Sequence, residues 1–437
     1  MKKYKNVLIY GYSKSGKAVE KILINNNVNY KIFDDNMRLG GGKYIFRLTK
    51  KEIAKFDLII ISPAISIFNK LIVYAEHIGI RVISELEFGF LNCPYKIIAV
   101  TGTNGKTTTT QLINHVLNNS GFSSVALGNV GEPLSSVINY TNLDYVVCEV
   151  SSFQLEATYK FKPEIGVILN IDNDHIDRHK TLNNYIDLKI GMFKNCNENQ
   201  LAILNSEPNI LKNSYKISAT KTFLNHDIKI EDGFVVYKQE KLFEFSKLID
   251  VTFASNVLAA IAVFKALNIS NDKIISGINS FCKPDHRLQV VNLINGVEYV
   301  NDSKATNPHA TLAATKKISS ETILLLGGKD KNLNFEDLLK NLPTTVKHIV
   351  CFGQVRKKIF KIAKKLNKTC DITTTLKNAV LKAKNIATAG QVVLLSPACA
   401  SFDEFLNYAE RGKCFVDVVN SFDESQKNYC NFMELIC

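Results

Sequence analysis

A lysine and several threonines follow a glycine-rich turn about a quarter of the way along the chain, and their types suit phosphate chemistry. The apolar run Ile97–Val100 leads into Thr101-Gly-Thr-Asn-Gly-Lys106-Thr-Thr108. A strand, a glycine turn and a helix N-terminus in this order aim backbone N–H groups at an anion. In such loops the lysine binds the β- and γ-phosphates of a nucleotide and the next hydroxyl binds Mg²⁺. The sequence therefore predicts a nucleotide-phosphate site, although Val100 departs from the glycine spacing of ordinary GTPases.

Metal-capable side chains follow two further apolar runs. Glu149 ends the run that begins at Tyr145, and His175 comes shortly after the run Ile165–Leu169. A carboxylate at the carboxyl end of a parallel strand faces the ligand crevice and suits a divalent cation. Taken alone, His175 is better explained as a polar loop residue, but beside Glu149 and a phosphate loop we interpret it as functional. Lys189 follows on the next predicted helix.

The elements that must position these groups are apolar strands that alternate with helical segments, an arrangement that indicates parallel sheets. The runs are Val7–Tyr10, Leu58–Ser62, Ile97–Val100, Tyr145–Val150, Ile165–Leu169, Leu201–Leu204, Ile323–Leu326, His348–Phe352 and Val392–Leu395. They fall into three groups, separated where Pro94 and Pro284 interrupt regular structure. We expect an α/β protein with a Rossmann-like domain at 1–93, a central P-loop ATPase-type domain at 94–283 and a Rossmann-like domain at 284–437.

The first group carries a weaker signal. A strand runs through Gly11 and Gly16 into a helix, and Asp34 follows at the distance typical of a dinucleotide-type fold. Ser13 replaces the middle glycine of that pattern, so a tight turn with no ligand explains these residues equally well.

Composition narrows the class of protein. The chain is 46% hydrophobic and 22% charged, a composition typical of globular proteins. Its 437 residues are too many for a single hydrophobic core. No apolar run reaches the roughly 18 to 20 residues of a membrane span, so we expect a cytoplasmic protein. The ten cysteines contain no CxxC pair, which favours reduced thiols. The net charge of +13 favours anionic partners, but the paired lysines at 357–358 and 364–365 fit the solvated face of an amphipathic helix better than a nucleic-acid site.

The motifs together resemble the Mur ligases, ATP-dependent amide-bond-forming enzymes related to folylpolyglutamate synthase. The resemblance is carried by Gly102-Thr-Asn-Gly-Lys-Thr107, by Glu149-Val-Ser-Ser-Phe-Gln154, and by Asn170 with Asp174-His175-x-Asp177-Arg178. In the last third, Asn301-Asp-Ser-Lys-Ala-Thr-Asn307, Gly327-Gly-Lys-Asp-Lys331 and Ser396-Pro-Ala-Cys-Ala-Ser401-Phe402 are similar to members that add D-glutamate to UDP-N-acetylmuramoyl-L-alanine.

The resemblance implies a role for each matching residue. It implies catalytic roles for Lys106, His175 and Lys189. ATP would be bound by Gly102, Thr103, Asn104, Gly105, Lys106, Thr107, Thr108, Asn256, Arg287 and Asp302. Two Mg²⁺ ions would be held with Thr107, Glu149, His175 and Lys189, the lysine being carbamylated. The UDP-muramoyl substrate would contact Ser15, Asp34, Asn129, Ser151, Gln154 and His175. D-glutamate would contact Thr306, Lys331, Ser401, Phe402 and Tyr408. The implied protein is a cytoplasmic, monomeric enzyme of peptidoglycan precursor synthesis that acts on small molecules, without nucleic acid or membrane span.

The chain departs from the family pattern at Ser13, Asn36, Ala64 and Phe253, so contacts to UDP and adenine are the least defined. One alternative is a sister ligase that adds another stem-peptide residue or extends folate, against which Asn301–Asn307 argues. Another is a nucleotide-binding regulatory protein without turnover, against which the intact Lys106, Glu149 and Lys189 argue. For the tail Ser421–Cys437 we expect a short helix or a frayed end.

Overall fold

The computed structural model describes residues 4–37, 41–129, 131–172, 174–248, 254–281, 285–330 and 333–434, with side chains to residue 422 except that of Asp177. The chain divides into two units, Met1–Phe281 and Cys282–Cys437. The predicted boundary at 283/284 lies outside the described residues, directly after the end of the first unit. The predicted boundary at 93/94 falls inside the first unit and stays a prediction.

The first unit opens with a parallel four-stranded sheet. Its strands are β1 (Asn6–Tyr10), β2 (Asn29–Phe33), β3 (Leu58–Ile61) and β4 (Arg81–Ser84), in the order β2-β1-β3-β4. Its helices are α1 (Lys14–Asn25), α2 (Lys50–Ile53), α3 (Lys70–His77) and α4 (Glu85–Leu91). Alternate residues of β1 and β3 enter two different apolar clusters, one on each face of the sheet. Burial on both faces explains why these strands are continuously apolar in sequence.

A parallel six-stranded sheet forms the centre of the same unit. Its strands are β5 (Lys96–Thr101), β6 (Ser124–Gly128), β7 (Tyr145–Glu149), β8 (Ile165–Ile168), β9 (Leu201–Leu204) and β10 (Thr220–Phe223), in the order β10-β9-β8-β5-β7-β6. Its helices are α5 (Lys106–Asn119), α6 (Ser152–Leu155), α7 (Ile176–His179), α8 (Leu182–Ile190), α9 (Pro208–Asn213), α10 (Ala254–Ala266) and α11 (Asn271–Asn279). Strand β5 lies between β7 and β8, so the ends of these three strands are neighbours.

The first unit also contains a small antiparallel sheet that was not predicted from the sequence. Its strands are β11 (Ile228–Glu231), β12 (Phe234–Tyr237) and β13 (Glu240–Glu244). Asp232–Gly233 and Lys238–Gln239 form its two-residue turns, and all four residues have positive φ. An Asp-Gly pair between strand-like runs is a strong hairpin signal, so this sheet was within reach of sequence reasoning.

The second unit contains one mixed sheet. Its strands are β14 (Gln289–Ile294), β15 (Val297–Asn301), β16 (Thr322–Gly327), β17 (Val346–Phe352), β18 (Cys370–Ile372) and β19 (Val392–Leu395), in the order β14-β15-β19-β16-β17-β18. Its helices are α12 (Pro308–Thr315), α13 (Glu336–Lys340), α14 (Arg356–Lys365), α15 (Leu376–Ile386) and α16 (Tyr408–Glu434). Only the β14–β15 pair is antiparallel among the described pairs of this sheet. The described part of the tail, residues 421–434, is helical and continues a 27-residue helix that begins at Tyr408, rather than forming a short helix of its own.

The predicted α/β class with parallel sheets is confirmed, and each apolar run coincides with a strand, three of them extending one residue past its end. Helix α14 buries Ile359 and Ala363, and it leaves its paired lysines on the outer side, as expected. Cysteines in the described part of the chain are free thiols. No helix among the described residues is long and apolar enough to span a membrane.

Candidate active site around the phosphate loop

The phosphate loop joins β5 to α5 and needs glycine for its shape. Gly102 has φ +154° and Gly105 has φ +87°, both of which disfavour other residues. A Cβ on Gly105 would lie 2.6 Å from Oδ1 of Asn256, so the loop packs directly against that buried asparagine of α10. The structure thus places Asn256, whose predicted role is in ATP binding, beside the loop.

Two polar side chains fix the path of the loop. Asn170 accepts a hydrogen bond from the Asn104 N–H at 2.8 Å and donates one to the Asn104 carbonyl at 3.0 Å. The Lys106 ammonium donates to the carbonyls of Gly102 and Thr103, each at 2.8 Å. The loop is therefore held in one shape by its neighbours, with a lysine charge at its centre.

Glu149 links the loop to the end of β7. It is 2% exposed, and its carboxylate accepts hydrogen bonds from the Thr107 hydroxyl at 2.7 Å and from the Asn129 amide at 3.0 Å. Hydroxyl and carboxylate oxygens suit Mg²⁺, which keeps several waters and uses only one or two carboxylates. No three His, Cys, Asp or Glu side chains form a metal cage in the described part of the chain, so Thr107 and Glu149 fit Mg²⁺ only when phosphate and water supply the other ligands.

Lys189 lies beneath the same loop and is 1% exposed. Its ammonium donates to the Thr101 hydroxyl at 3.2 Å and to the Gly102 carbonyl at 3.0 Å. Burial, and then the positive charge of Lys106, hold the pKa of Lys189 well below its usual range. Burial under the loop therefore weakens the preference of this amine for its charged form.

Tyr185, which was not predicted from the sequence, also belongs to this site. Its hydroxyl lies 3.2 Å from the Thr103 hydroxyl, and the Lys189 nitrogen lies 4.6 Å from the centre of its ring. Tyr185 precedes Lys189 by one helical turn on α8, and i, i+4 spacing places both side chains on one face. That spacing was the available signal.

His175 immediately precedes α7 and has the left-handed backbone conformation, with φ 55°. Its backbone N–H donates to the Asp174 carboxylate at 3.0 Å, and its ring Nε2 lies 3.5 Å from the same carboxylate. The imidazole packs on Phe153, with ring centres 4.7 Å apart. Phe153 belongs to α6, so the structure brings His175 next to the helix that follows Glu149.

Ser151 and Gln154, both predicted substrate residues, bind each other. The Gln154 side chain accepts hydrogen bonds from the N–H and the hydroxyl of Ser151, each at 3.0 Å, and the Gln154 N–H completes a capping box. Gln154 is only 1% exposed. These contacts stabilise the start of α6, and a role toward substrate stays a prediction.

The glycine turn after β1 is tightly built. A Cβ on Gly16 would lie 2.3 Å from the Gly11 carbonyl, so α1 approaches β1 as closely as the glycine pattern predicts. The Asp34 carboxylate accepts hydrogen bonds from the N–H groups of Tyr12 at 2.6 Å and Asn36 at 2.9 Å. Ser15 is half-buried in the first turn of α1. The backbone of the turn therefore occupies part of the hydrogen-bonding capacity of Asp34.

In the second unit, Asp302 follows β15 and is 7% exposed. It accepts a hydrogen bond from the Ser396 hydroxyl at 2.7 Å, and burial raises its pKa to about 7. The positive charge of Arg287 lowers the pKa of Asp302 and so offsets part of this effect. Lys304, two residues on, donates to the Tyr408 hydroxyl at 3.2 Å.

The residues predicted to contact D-glutamate differ in exposure. Ser401 is buried, Thr306 and Tyr408 are half-buried, and Phe402 is 66% exposed. Lys331 lies outside the described residues. Phe402 lines a cavity of about 480 Å³ together with Lys329, Arg356 and Asp403.

Arg411 was not recognised from the sequence, because a fully buried arginine has no local pattern. It is 0% exposed and donates to the hydroxyl and carbonyl of Ser303 at 3.0 and 2.7 Å, and to the Cys399 carbonyl at 2.9 Å. It thereby connects the Asp302–Lys304 segment with the segment that leads to Ser401.

Each of the two units contains a match to a domain of a known protein family. Residues 100–264 match the Mur ligase middle domain, and residues 286–399 match the Mur ligase glutamate ligase domain. A UDP-N-acetylmuramoylalanine–D-glutamate ligase of Alkaliphilus oremlandii is 34% identical over 95% of this chain and 98% of its own length. A protein of the same name from Thermoanaerobacter sp. is 36% identical, with the same coverage of both chains.

Solved structures agree on the fold. A UDP-N-acetylmuramate–alanine ligase from Thermotoga maritima has a TM-score of 0.62 and 18% identity, with 96% of this chain and 99% of the other covered. The MurF ligase from Thermotoga maritima in complex with ADP also gives 0.62, at 16% identity and 97% coverage of both chains. From the sequence identity to curated relatives over nearly its whole length, we conclude that the chain belongs to the Mur ligase family.

Proposed function

We propose that this chain is an ATP-dependent ligase that joins D-glutamate to UDP-N-acetylmuramoyl-L-alanine in peptidoglycan precursor synthesis. The structural observation that carries the proposal is the convergence of Lys106, the Thr107–Glu149 pair and the buried Lys189 on one loop. The identity of the substrates is taken from the named relatives, which match nearly the whole chain.

The reaction needs ATP because a carboxylate does not react with an amine directly. Its carbonyl carbon is electron-rich and oxide is a poor leaving group. In the first step an oxygen of the alanyl carboxylate attacks the γ-phosphorus of ATP, the bond to the β-phosphate oxygen breaks, and ADP leaves. The product is an acyl phosphate, whose phosphate group is a good leaving group.

The loop residues act on the charge that moves in this step. Lys106 would contact the β- and γ-phosphates, and phosphoryl transfer depends mainly on such positioning and charge. Thr107 and Glu149 would hold one of two Mg²⁺ ions, and His175 and a modified Lys189 would serve the other. Bound magnesium would offset the repulsion between ATP and the substrate carboxylate.

Lys189 fits the second metal site only after modification, because an ammonium would repel a cation. A neutral amine attacks carbon dioxide to form a carbamate and releases one proton, so the side chain becomes an anion with oxygen ligands. Burial lowers the pKa of Lys189, which favours the neutral amine that this reaction needs. We therefore infer that Lys189 is carbamylated in the active enzyme.

The second step joins the two substrates. The neutral amine of D-glutamate attacks the acyl carbon, the tetrahedral intermediate collapses, and phosphate leaves with the bonding electrons. The amine must lose a proton on the way, and His175 is the candidate base in this proposal.

The remaining residues divide between the three substrates. ATP would be bound by Gly102, Thr103, Asn104, Gly105, Thr108, Asn256, Arg287 and Asp302. The UDP-muramoyl substrate would be bound by Ser15, Asp34, Asn129, Ser151, Gln154 and His175. D-glutamate would be bound by Thr306, Lys331, Ser401, Phe402 and Tyr408. We also propose three domains with limits near 93 and 283, acting as a monomer in the cytoplasm.

The test is ADP and phosphate release from ATP and Mg²⁺ in the presence of UDP-N-acetylmuramoyl-L-alanine. Release that depends on D-glutamate, and not on L-glutamate, is the expected result. Release with another acceptor pair, such as L-glutamate with a folate, would assign the chain to a sister ligase. Tight ATP binding without release for any pair would support the regulatory alternative instead.

A further inference from the structure

Arg178 makes an unusually complete set of contacts for a residue with no role in the proposed chemistry. Its Nε lies 3.0 Å from one Glu156 oxygen, and one terminal nitrogen lies 2.6 Å from the other. The terminal nitrogens also donate to the carbonyls of Ile65 at 2.9 Å and Ala64 at 3.3 Å. The guanidinium lies over the Phe153 ring, 4.4 Å from its centre.

These contacts join three separate parts of the first unit. Ala64 and Ile65 lie in the loop after β3, Glu156 and Phe153 lie in or directly after α6, and Arg178 itself belongs to α7. The Ser62 hydroxyl donates to the Gly11 carbonyl at 2.8 Å, so the loop after β3 is tied in turn to the glycine turn after β1. Through Arg178, the glycine turn is therefore connected to α6 and α7.

The two ends of this connection are where the substrate is proposed to bind. The glycine turn, with Ser15 and Asp34, would hold the UDP end, whereas Ser151 and His175 would contact the muramoyl end. Phe153 contacts both the imidazole of His175 and the guanidinium of Arg178. The position of His175 therefore depends on a ring that Arg178 helps to hold.

The geometry requires an arginine and not merely a positive charge. The Glu156 side chain is 1% exposed and Arg178 is 13% exposed, so neither charge is well solvated. A planar guanidinium can bind a carboxylate with two N–H groups and still reach two carbonyls. A lysine ammonium has one nitrogen and cannot span the same acceptors.

We propose that Arg178 is a positioning residue that sets the distance between the UDP-binding turn and the muramoyl end of the site. This inference rests on the proposed function. Arg178 does not touch the reacting atoms, and it acts by fixing the loop after β3 against α6 and α7. Its loss is expected to weaken use of the UDP-linked substrate more than use of ATP or D-glutamate.

The experiment compares the full-length wild type with Arg178→Lys and Glu156→Gln. The matched control is Arg81→Lys, which changes an exposed arginine that also lies over an aromatic ring, 3.8 Å from the centre of Tyr159. The measurements are kcat, the KM for each of the three substrates, and the melting temperature. Each KM is measured with the other two substrates at saturation.

Loss of a charge-assisted hydrogen bond at a positioning contact is expected to raise the KM for UDP-N-acetylmuramoyl-L-alanine about tenfold in both variants. The KM values for ATP and D-glutamate should stay within twofold, and Arg81→Lys should match the wild type. A residue that only stabilises the fold would reduce the active fraction, lowering apparent kcat without changing any KM. That result, or equal increases in all three KM values, would overturn the proposal.

The two proposals fail in different ways. An inactive wild type, with no D-glutamate-dependent ADP release, would refute the ligase function. An active wild type with Arg178→Lys and Glu156→Gln unchanged in every KM would refute only the positioning role. Glu156→Gln keeps Arg178 and its backbone contacts, so it gives a readout even if Arg178→Lys folds poorly.

Discussion

The substitution Glu149→Gln should separate the charge of this carboxylate from its hydrogen bonds. In the native site, one oxygen accepts from the Thr107 hydroxyl at 2.7 Å and the other from the Asn129 amide at 3.0 Å. A glutamine can direct its carbonyl toward Asn129 and its NH₂ group toward Thr107. The hydroxyl of Thr107 can accept as well as donate, so both hydrogen bonds survive.

The expected effect on folding is therefore small. With both hydrogen bonds retained and no change in volume, the free energy of unfolding should change by less than about 1 kcal/mol. The expected effect on turnover is large, because the neutral amide cannot supply the negative charge of a metal ligand. Loss of one such electrostatic contact should reduce kcat on the order of 10²-fold, or about 2.7 kcal/mol of transition-state stabilisation.

The assay measures D-glutamate-dependent ADP release over a series of Mg²⁺ concentrations, together with urea unfolding of the same preparation. The matched control is Glu87→Gln, at another buried carboxylate, whose oxygens accept the N–H groups of Lys160 at 2.7 Å and Phe161 at 2.9 Å. In Glu87→Gln, the new side-chain NH₂ group must face one of these backbone N–H groups, and an N–H cannot accept a hydrogen bond. This variant should lose about 1–3 kcal/mol of stability and keep its turnover per folded molecule.

Turnover of Glu149→Gln within threefold of the wild type at every Mg²⁺ concentration would refute the metal-binding role of Glu149. A loss of stability as large as that of Glu87→Gln would refute the hydrogen-bond argument, because it would show that the amide cannot satisfy both neighbours.

Three further predictions concern Lys106, Lys189 and Asp302. Lys106→Ala should lower kcat on the order of 10²-fold or more, because it removes the phosphate contact; the fold should stay intact with a modest loss of stability, because two hydrogen bonds to the loop carbonyls are also lost, and near-normal kcat would contradict the phosphate role. Lys189→Ala should be inactive and should regain part of its activity in millimolar formate, a short carboxylate that can replace the carbamate; no rescue, together with wild-type activity independent of bicarbonate, would refute carbamylation. Burial raises the pKa of Asp302 to about 7 from 3.8. The folded state then binds a proton that the unfolded state lacks, so the contribution of Asp302 to stability is lost as pH rises from about 4 to 7. Urea unfolding of Asp302→Asn should depend less on pH across this window, and identical slopes for variant and wild type would contradict the shift.

Much of the site could be predicted from the sequence because its functional residues lie in recognisable local patterns of strand, loop and helix start. The run Ile97–Val100 followed by Gly102, Gly105 and Lys106 predicts a strand, a turn and a helix start, and the structure has β5, a loop with two positive-φ glycines and α5. The position of Glu149 at the end of β7 also follows from sequence, since parallel strands place their carboxyl ends at one edge. These features depend on neighbours in the chain.

Other features depend on residues far apart in the chain, and only the tertiary structure decides them. Local sequence patterns give no reason for the Lys189 amine to lie under Gly102, 87 positions away, or for its pKa to fall, and only the family resemblance implies that Lys189 belongs to this site. The same is true of Arg411, which holds Ser303 across 108 positions, and of Arg178, which reaches Ile65 across 113. The residue types and their local order are determined by the sequence itself. Packing decides which carbonyls and carboxylates surround a buried basic side chain. Burial removes water, so the side chain must find its hydrogen-bond partners on distant segments of the chain.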